Sequence, residues 1–155
     1  MIPADQLGTP FSILHDGEIQ SCSQKAGHLA LEVGIRYLAQ QIAPHFSKFT
    51  VEIDRFSDPT FTTWPLNADT PAQVIVSERQ IFGPKLKILE GSASDGRIEV
   101  ICNQPDPAYG YCGGELRFGA SSARVRDEAG RSYGLEELQE IATRYWDEWS
   151  TKTKG

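Results

Sequence analysis

The stretch "HLALEVGIRYL" (residues 28–38) sets the class of fold. Leu29, Leu31, Val33, Ile35 and Tyr37 alternate with Ala30, Glu32, Gly34 and Arg36. A period of two places the first set on one face of a strand and the second on the other, whereas a helix would scatter five such positions round its circumference. The residues predict a strand with one buried and one wet face. "KFTVEIDRF" repeats the pattern, with Phe49, Val51 and Ile53 inward and Thr50, Glu52 and Asp54 outward. Between the two lies "AQQIAPHFS", where Pro44 cannot continue a helix and disfavours helical geometry at Ala43, so a short helical turn or an open loop is expected.

Five more segments read as strands: 60–64, 72–78, 85–92, 97–103 and 114–121. Each is rich in β-branched or aromatic residues and bounded by Pro, Gly, Asp or Asn. Asp95–Gly96 predicts a tight hairpin over 86–102, and "DEAGR" (127–131) a turn pairing 115–125 with 131–133. One helix closes the chain. Leu135, Leu138, Ile141, Ala142, Tyr145, Trp146 and Trp149 recur at spacings of three and four and form one stripe, expected to bury against the sheet. Glu136 and Glu137 in its first turn and Lys152 and Lys154 at or beyond its end match the helix dipole. The predicted architecture is α+β: an antiparallel sheet of seven to nine strands with one amphipathic C-terminal helix packed on it. A chain of 155 residues fits one domain, 1–155, with residues 151–155 as a frayed tail.

Charge narrows the range of partners. The formal net charge of −6 falls on residues 90–149, which hold twelve acids against six arginines. Such a surface repels phosphate backbones and suits a basic protein partner, so nucleic acid is not expected. No run approaches the roughly 18 apolar residues of a membrane helix, and the first residues have neither the basic start nor the apolar stretch of a signal peptide. With three cysteines and no CxxC spacing, a reducing, cytoplasmic setting is expected. A bridge between Cys102 and Cys112 is sterically conceivable.

Chemistry-bearing motifs are sparse. There is no GxSxG, Walker A or GxGxxG, and no cofactor is implied. His15–Asp16 invites comparison with metal-dependent phosphohydrolases, whose His–Asp pairs sit on helices. Here the flanks alternate as strands, and His28 and His45 offer no ligand spacing, so no metal site is expected. The pair reads as structural. In one reading Asp16–Gly17 centres a two-residue hairpin, with His15 facing Glu18, Leu14 facing Ile19 and Phe11 facing Cys22. In the other, Asp16 accepts backbone N–H bonds where strand 18–24 begins, with His15 packed beneath. Glu32, Glu52 and Asp54 share the wet side of their strands and could line a concave sheet face as acid and base, although solvated carboxylates are commoner there. The irregular loop 103–114, "NQPDPAYGYCGG", is the remaining candidate, with Tyr109, Tyr111 and Cys112 as possible ligand-binding residues. As a nucleophile Cys112 lacks support, since its nearest charged neighbours, Asp106 and Glu115, repel a thiolate.

The run Leu14–His15–Asp16–Gly17–Glu18–Ile19, followed by an alternating strand and then "FTVEIDRFSDPTFTTW", resembles a group of small bacterial proteins. They open with aromatic–His–Asp–Ala–x–Val/Ile and continue as a strand meander, and some are immunity proteins of polymorphic toxin systems. The match covers residues 11–64, with His15, Asp16 and Ile19 as its specific core. Leu14 stands where an aromatic is usual, and Gly17 where a small residue with a Cβ is usual. The resemblance implies a protein-binding role without catalysis and a structural role for His15–Asp16.

Two functions follow as expectations. The first is a non-catalytic protein-binding module acting through the acidic C-terminal half. The second is a small-molecule-binding or hydrolytic domain whose site lies near loop 103–114. Exposed strand edges would also permit a homo-oligomer.

Overall fold

Two pairs of strands turn a corner together, and that corner organises the sheet. The computed structural model describes the backbone of residues 1–154 and the side chains of residues 1–151. Strands are β1 (Ile2–Pro3), β2 (Glu18–Lys25), β3 (His28–Gly34), β4 (Lys48–Asp54), β5 (Ser57–Pro65), β6 (Val74–Ile75), β7 (Leu86–Ser94), β8 (Arg97–Asn103), β9 (Tyr111–Gly119), β10 (Ser122–Arg126) and β11 (Ser132–Tyr133). Helices are α1 (Gly8–Ile13), α2 (Arg36–Ala39), α3 (Glu78–Ile81) and α4 (Leu135–Lys154). Among the described residues these strands form one eleven-stranded antiparallel sheet in the order β1-β10-β4-β3-β2-β7-β8-β9-β5-β6, with β11 on β10. The excess over the expected seven to nine comes from β1, a two-residue pairing too short to leave a sequence period, and from the run 115–125, which is divided between two strands, β9 and β10.

In that order β4 lies far from β5, and β10 far from β9. Yet only Arg55 and Phe56 separate β4 from β5, and two residues separate β9 from β10. Ser122 pairs with Asp54 before the corner and Ser57 with Gly119 after it. One two-stranded ribbon therefore passes from the first half of the sheet to the second, and the sheet must fold back on itself. Arg55 and Asp58 take left-handed backbone angles (φ 54° and 48°) to make the bend. Phe56, between them, is buried and lies 5.0 Å from Phe118.

The other junction between the halves is thin. β2 meets β7 through Glu18–Lys87 and Ile19–Leu86. Gly17 extends the ladder: its carbonyl accepts from Ile88 N (2.8 Å), and Asp16 N donates to Ile88 O (2.7 Å). Beyond Ile88, α1 lies against β7 in place of a strand. Ser12 Oγ donates to Gly91 O (2.9 Å) and is 3.0 Å from Gly91 N, which donates back. A Cβ on Gly91 would come within 2.6 Å of Gly8 O and of Phe11 Cβ, so the contact requires glycine. Leu7, Phe11 and Leu14, at helical spacing, are fully buried, and Phe11 meets Phe118 edge-on at 6.2 Å. Pro10 is tolerated because the first turn's N–H groups have no helical acceptor.

Several segments behave as their sequence predicts. The 97–103 strand is β8, and Asp95 and Gly96 (φ 51° and 76°) turn the β7–β8 hairpin. Others differ. The strand read over 28–38 stops at Gly34, where Arg36–Ala39 form a helical turn that buries Leu38 and Ala39. Of 72–78, Val74–Ile75 pair with β5 while Ser77 caps α3. Residues 115–119 belong to β9, so the pairing with β11 is made by β10 alone. The tail expected to fray is helical through Lys154. The side chains of Lys152 and Lys154 and all of residue 155 lie outside the described residues.

Ser12→Ala deletes both bonds to Gly91 and leaves that peptide unit without its partner. We expect a loss of about 1–3 kcal/mol, read as a lower urea midpoint at unchanged m-value. Gly91→Ala is expected to cost a similar amount through overpacking, about 1–3 kcal/mol.

Candidate functional site

The His15–Asp16–Gly17 run joins α1 to β2 and is not a hairpin; the strand expected before it is α1. Its backbone carries the ladder to Ile88. Asp16, with φ 68°, donates its N–H there, and its carboxylate sits 3.8 Å from Lys87 Nζ. His15 Nδ1 lies 2.9 Å from Ser12 O, and its carbonyl accepts a 3.0 Å bond from Tyr37 Oη. Burial, with the charge of Asp16 and then Tyr145 nearby, pushes the Tyr37 hydroxyl up to about 12, so it stays a donor. The His15 ring stacks parallel to Trp146 at 5.9 Å. His45 packs against Phe46, and His28 pairs with Asp54. Among the described residues no group of three or more His, Cys, Asp or Glu could hold a metal.

The irregular loop is held by one buried amide. Gln104 Nε2 donates to Asp106 O (2.8 Å) and Tyr111 O (2.9 Å), while Oε1 accepts from Asp106 N (2.7 Å). This brings Tyr109 and Tyr111 together, with ring centroids 6.4 Å apart. They line a depression of about 550 Å³ with Ile75, Arg79, Gln80 and Gly83. Burial and then the neighbouring Tyr109 raise the Tyr111 hydroxyl above its ordinary value. Cys112 does not join them. β9 begins at Tyr111, so adjacent residues face opposite ways, and Cys112 Sγ points to Trp64 O (3.6 Å). There is no bridge to Cys102: both thiols are free, Cys102 fully buried, with its thiol pushed up to about 12 by burial, and Cys112 exposed.

The acidic helix is fixed at its start. Glu137 Oε1 accepts from Gly134 N (3.2 Å), the reciprocal half of a capping box, and Oε2 takes Arg131 (2.9 Å). Ahead of it Asp127 organises the turn. Its Oδ1 accepts from Ala129 N and Arg131 N (2.8 and 3.1 Å) and its Oδ2 from Tyr133 Oη (2.6 Å). Leu138, Ile141 and Ala142 enter the core. The helix then runs over α1 and α2, which already cover this side, so the aromatic end of the stripe is not buried as expected. Tyr145 rests on Tyr37 (4.4 Å), but Trp146 and Trp149 remain 41% and 51% exposed. Glu136, Glu140, Asp147 and Glu148 line another side of the helix, with Arg144 among them.

The wet face of the first half-sheet carries ordered rows of charge. One row across β2, β3, β4 and β10 is Lys25, His28, Asp54 and Ser122; the next is Ser23, Ala30, Glu52 and Arg124; the third is Ser21, Glu32, Thr50 and Arg126. Glu32 is held by Lys48 (3.2 Å), then by Ser21, and both lower its proton affinity. Exposed pairs of this kind contribute about 0–1 kcal/mol each, so they do not hold the fold. Two cavities of about 330 and 400 Å³ open on this face and share Glu52. The carboxylates Glu32, Glu52 and Asp54 thus line a concave surface, where Lys48 pairs with Glu32, Arg126 with Glu52 and the His28 ring with Asp54. The sequence reading missed the cations, although the alternation in "SARVR" marks Arg124 and Arg126 as outward.

No protein-family model, curated protein or solved structure matches this chain.

Burial alone would raise the Asp127 carboxyl, but the bonds from Tyr133, Arg131 and Ala129 and the charge of Arg131 outweigh it and hold it below its ordinary value of 3.8. A lowered folded value gives stability that is fully present above that ordinary value and is lost as pH falls toward the folded one. Asp127→Asn is therefore expected to lose about 1–3 kcal/mol at neutral pH and to show a shallower decline in stability on acidification below pH 4. An acid limb as steep as the wild type's would contradict the assignment.

Proposed function

We propose that the chain is a non-catalytic protein-binding module that engages a basic protein through the outer face of α4. One observation carries the reading: Trp146 and Trp149, each about half exposed, stand at the end of a helix whose outer side bears Glu136, Glu140, Asp147 and Glu148. Tryptophan side chains dominate binding energies where they are found in interfaces. A predominantly acidic surface steers a partner of opposite charge and speeds its encounter. Tyr37, Tyr145 and His15 hold the Trp146 ring from behind, so less side-chain freedom is lost on docking. Toxin neutralisation, implied by the resemblance of residues 11–64, is one form such binding would take.

No helix among the described residues is long and apolar enough to cross a membrane. Cys22, Cys102 and Cys112 are free thiols, which supports a reducing, cytoplasmic setting.

A second reading rests on the depression at Tyr109 and Tyr111, where aromatic walls and Arg79 would suit a planar acidic ligand. Leu66, Val74 and Val76, exposed at the same end, could instead serve a second copy of the chain.

Affinity capture from the source cell separates these readings. The expected catch is a protein of high isoelectric point that is lost with Trp146→Ala/Trp149→Ala and weakened by Glu140→Lys/Glu148→Lys, but retained with Val74→Ser/Val76→Ser. Capture that survives the helix variants and fails with the Val74 and Val76 variants would overturn the assignment to α4.

A further inference from the structure

Apart from Met1, the large apolar side chains left exposed among the described residues gather at two places, the tryptophans of α4 and the end of the sheet at β6. At the second, Leu66, Val74 and Val76 are 61%, 61% and 67% exposed. β6 is the last strand in the order, so one of its edges pairs with β5 and the other is free. Backbone bonding fixes which groups the free edge carries. Thr63 N donates to Gln73 O, and Phe61 stands opposite Ile75, so Gln73 and Ile75 turn their peptide groups toward β5. Bonded and non-bonded positions alternate in an antiparallel ladder, which leaves the N–H and C=O of Val74 and Val76 pointing outward. The chain stays extended through Ser77 (φ −85°, ψ 122°), so both valines belong to one edge.

Other edges of the sheet are blunted. On β5, Asp58 is left-handed (φ 48°) and Pro59 has no N–H, and at the opposite end of the sheet β1 closes on Pro3. Residues 72–77, "AQVIVS", carry neither charge nor proline. Across residues 59–77 Asp69 is the one charged side chain, in a chain of net charge −6. Two copies of so acidic a chain repel each other over most approaches, and this end of the sheet escapes that repulsion.

We propose that the free edge of β6 pairs with the same edge of a second copy, antiparallel, about a two-fold axis between the two Ile75 residues. The proposal rests on this edge alone and is independent of the assignment of α4 to a protein partner. The two-fold sets Val74 of each copy opposite Val76 of the other. Both members of such a pair present N–H and C=O outward, so each pair exchanges two bonds and the two sheets become continuous. The edge is thus self-complementary, as an isologous interface requires. The exposed valines become cross-strand β-branched pairs. Past Ser77 each chain carries α3 toward the 66–72 turn of the other copy, which brings the exposed Arg79 to the side of the exposed Asp69. A contact this small makes a reversible dimer.

Sedimentation equilibrium of the whole chain over about a hundredfold range of concentration tests this, with a monomer–dimer equilibrium as the expected result. Val74→Lys and Val76→Glu, each alone, are expected to weaken the dimer at least about tenfold. Both positions are exposed, so the urea midpoints should hold. Val74→Ser/Val76→Ser takes their place if a midpoint falls. Mixed in equal amounts, the two charged variants are expected to associate again, because their substituted positions face each other across the two-fold. Trp146→Ala/Trp149→Ala should leave the dimer intact. A monomer at every concentration, a dimer undiminished by the valine variants, no recovery on mixing, or loss with the tryptophan variant would overturn the proposal. Capture of a basic protein by α4 stands or falls separately.

Discussion

The free edge of β7 is the constraint on which this molecule depends. After Ile88 the strand has β8 on one side and no strand on the other, so the Gly91 peptide unit would face the core without a partner. A buried, unpaired backbone group costs about 1–3 kcal/mol. The six-residue helix α1 meets the need through one hydroxyl, since Ser12 Oγ both donates to and accepts from Gly91. Because Gly8 and Gly91 lack side chains, helix and strand approach at backbone distance, and Leu7, Phe11 and Leu14 fill the space beneath. A helix this short has little stability of its own. It persists because tertiary burial fixes it.

Both candidate surfaces follow from that closure. The end of α1 sets His15, on which the Trp146 ring stacks, and thereby places the last turns of α4 across α1 and α2. The ribbon that turns at Arg55 and Phe56 ties β4 and β10 into the first half of the sheet, so their outward residues form the charged hollow. The acidic helix and the charged sheet face thus lie on separate elements of one scaffold.

Much of the sheet was legible because period-two alternation is a direct consequence of strand geometry. Leu29 to Val33, Phe49 to Ile53 and Ile98 to Cys102 alternate and are buried as that pattern requires. The α1 helix was not legible. Its apolar positions, Leu7, Phe11 and Leu14, have helical spacing, but the segment spans two turns and Asp16–Gly17 imitates a hairpin signal. Strand order was hidden for a related reason: the short links at Arg55–Phe56 and Ala120–Ser121 look like hairpin turns, and only long-range pairing makes them corners. At the sites, the convergence of Tyr109 and Tyr111 could be anticipated from their loop. Cys112 could not be placed, because strand alternation puts it on the side of Leu116 and Phe118, yet it is exposed with its Sγ at Trp64 O. The exposure of Trp146 and Trp149 depends on what covers the sheet beneath α4, and no local pattern encodes that.

Native-state hydrogen exchange at three amides tests the central claim most directly. Gly91 N–H is bonded to Ser12, Asp16 N–H to Ile88 O, and Ile88 N–H to Gly17 O. If these contacts hold the two halves of the sheet together, all three exchange only through global unfolding, with protection equal to that of Val100 and Leu116 in the core strands. Exchange at Gly91 and Asp16 through low-energy local opening, while β8 and β9 stay protected, would show that the fold stands without α1 and contradict the account.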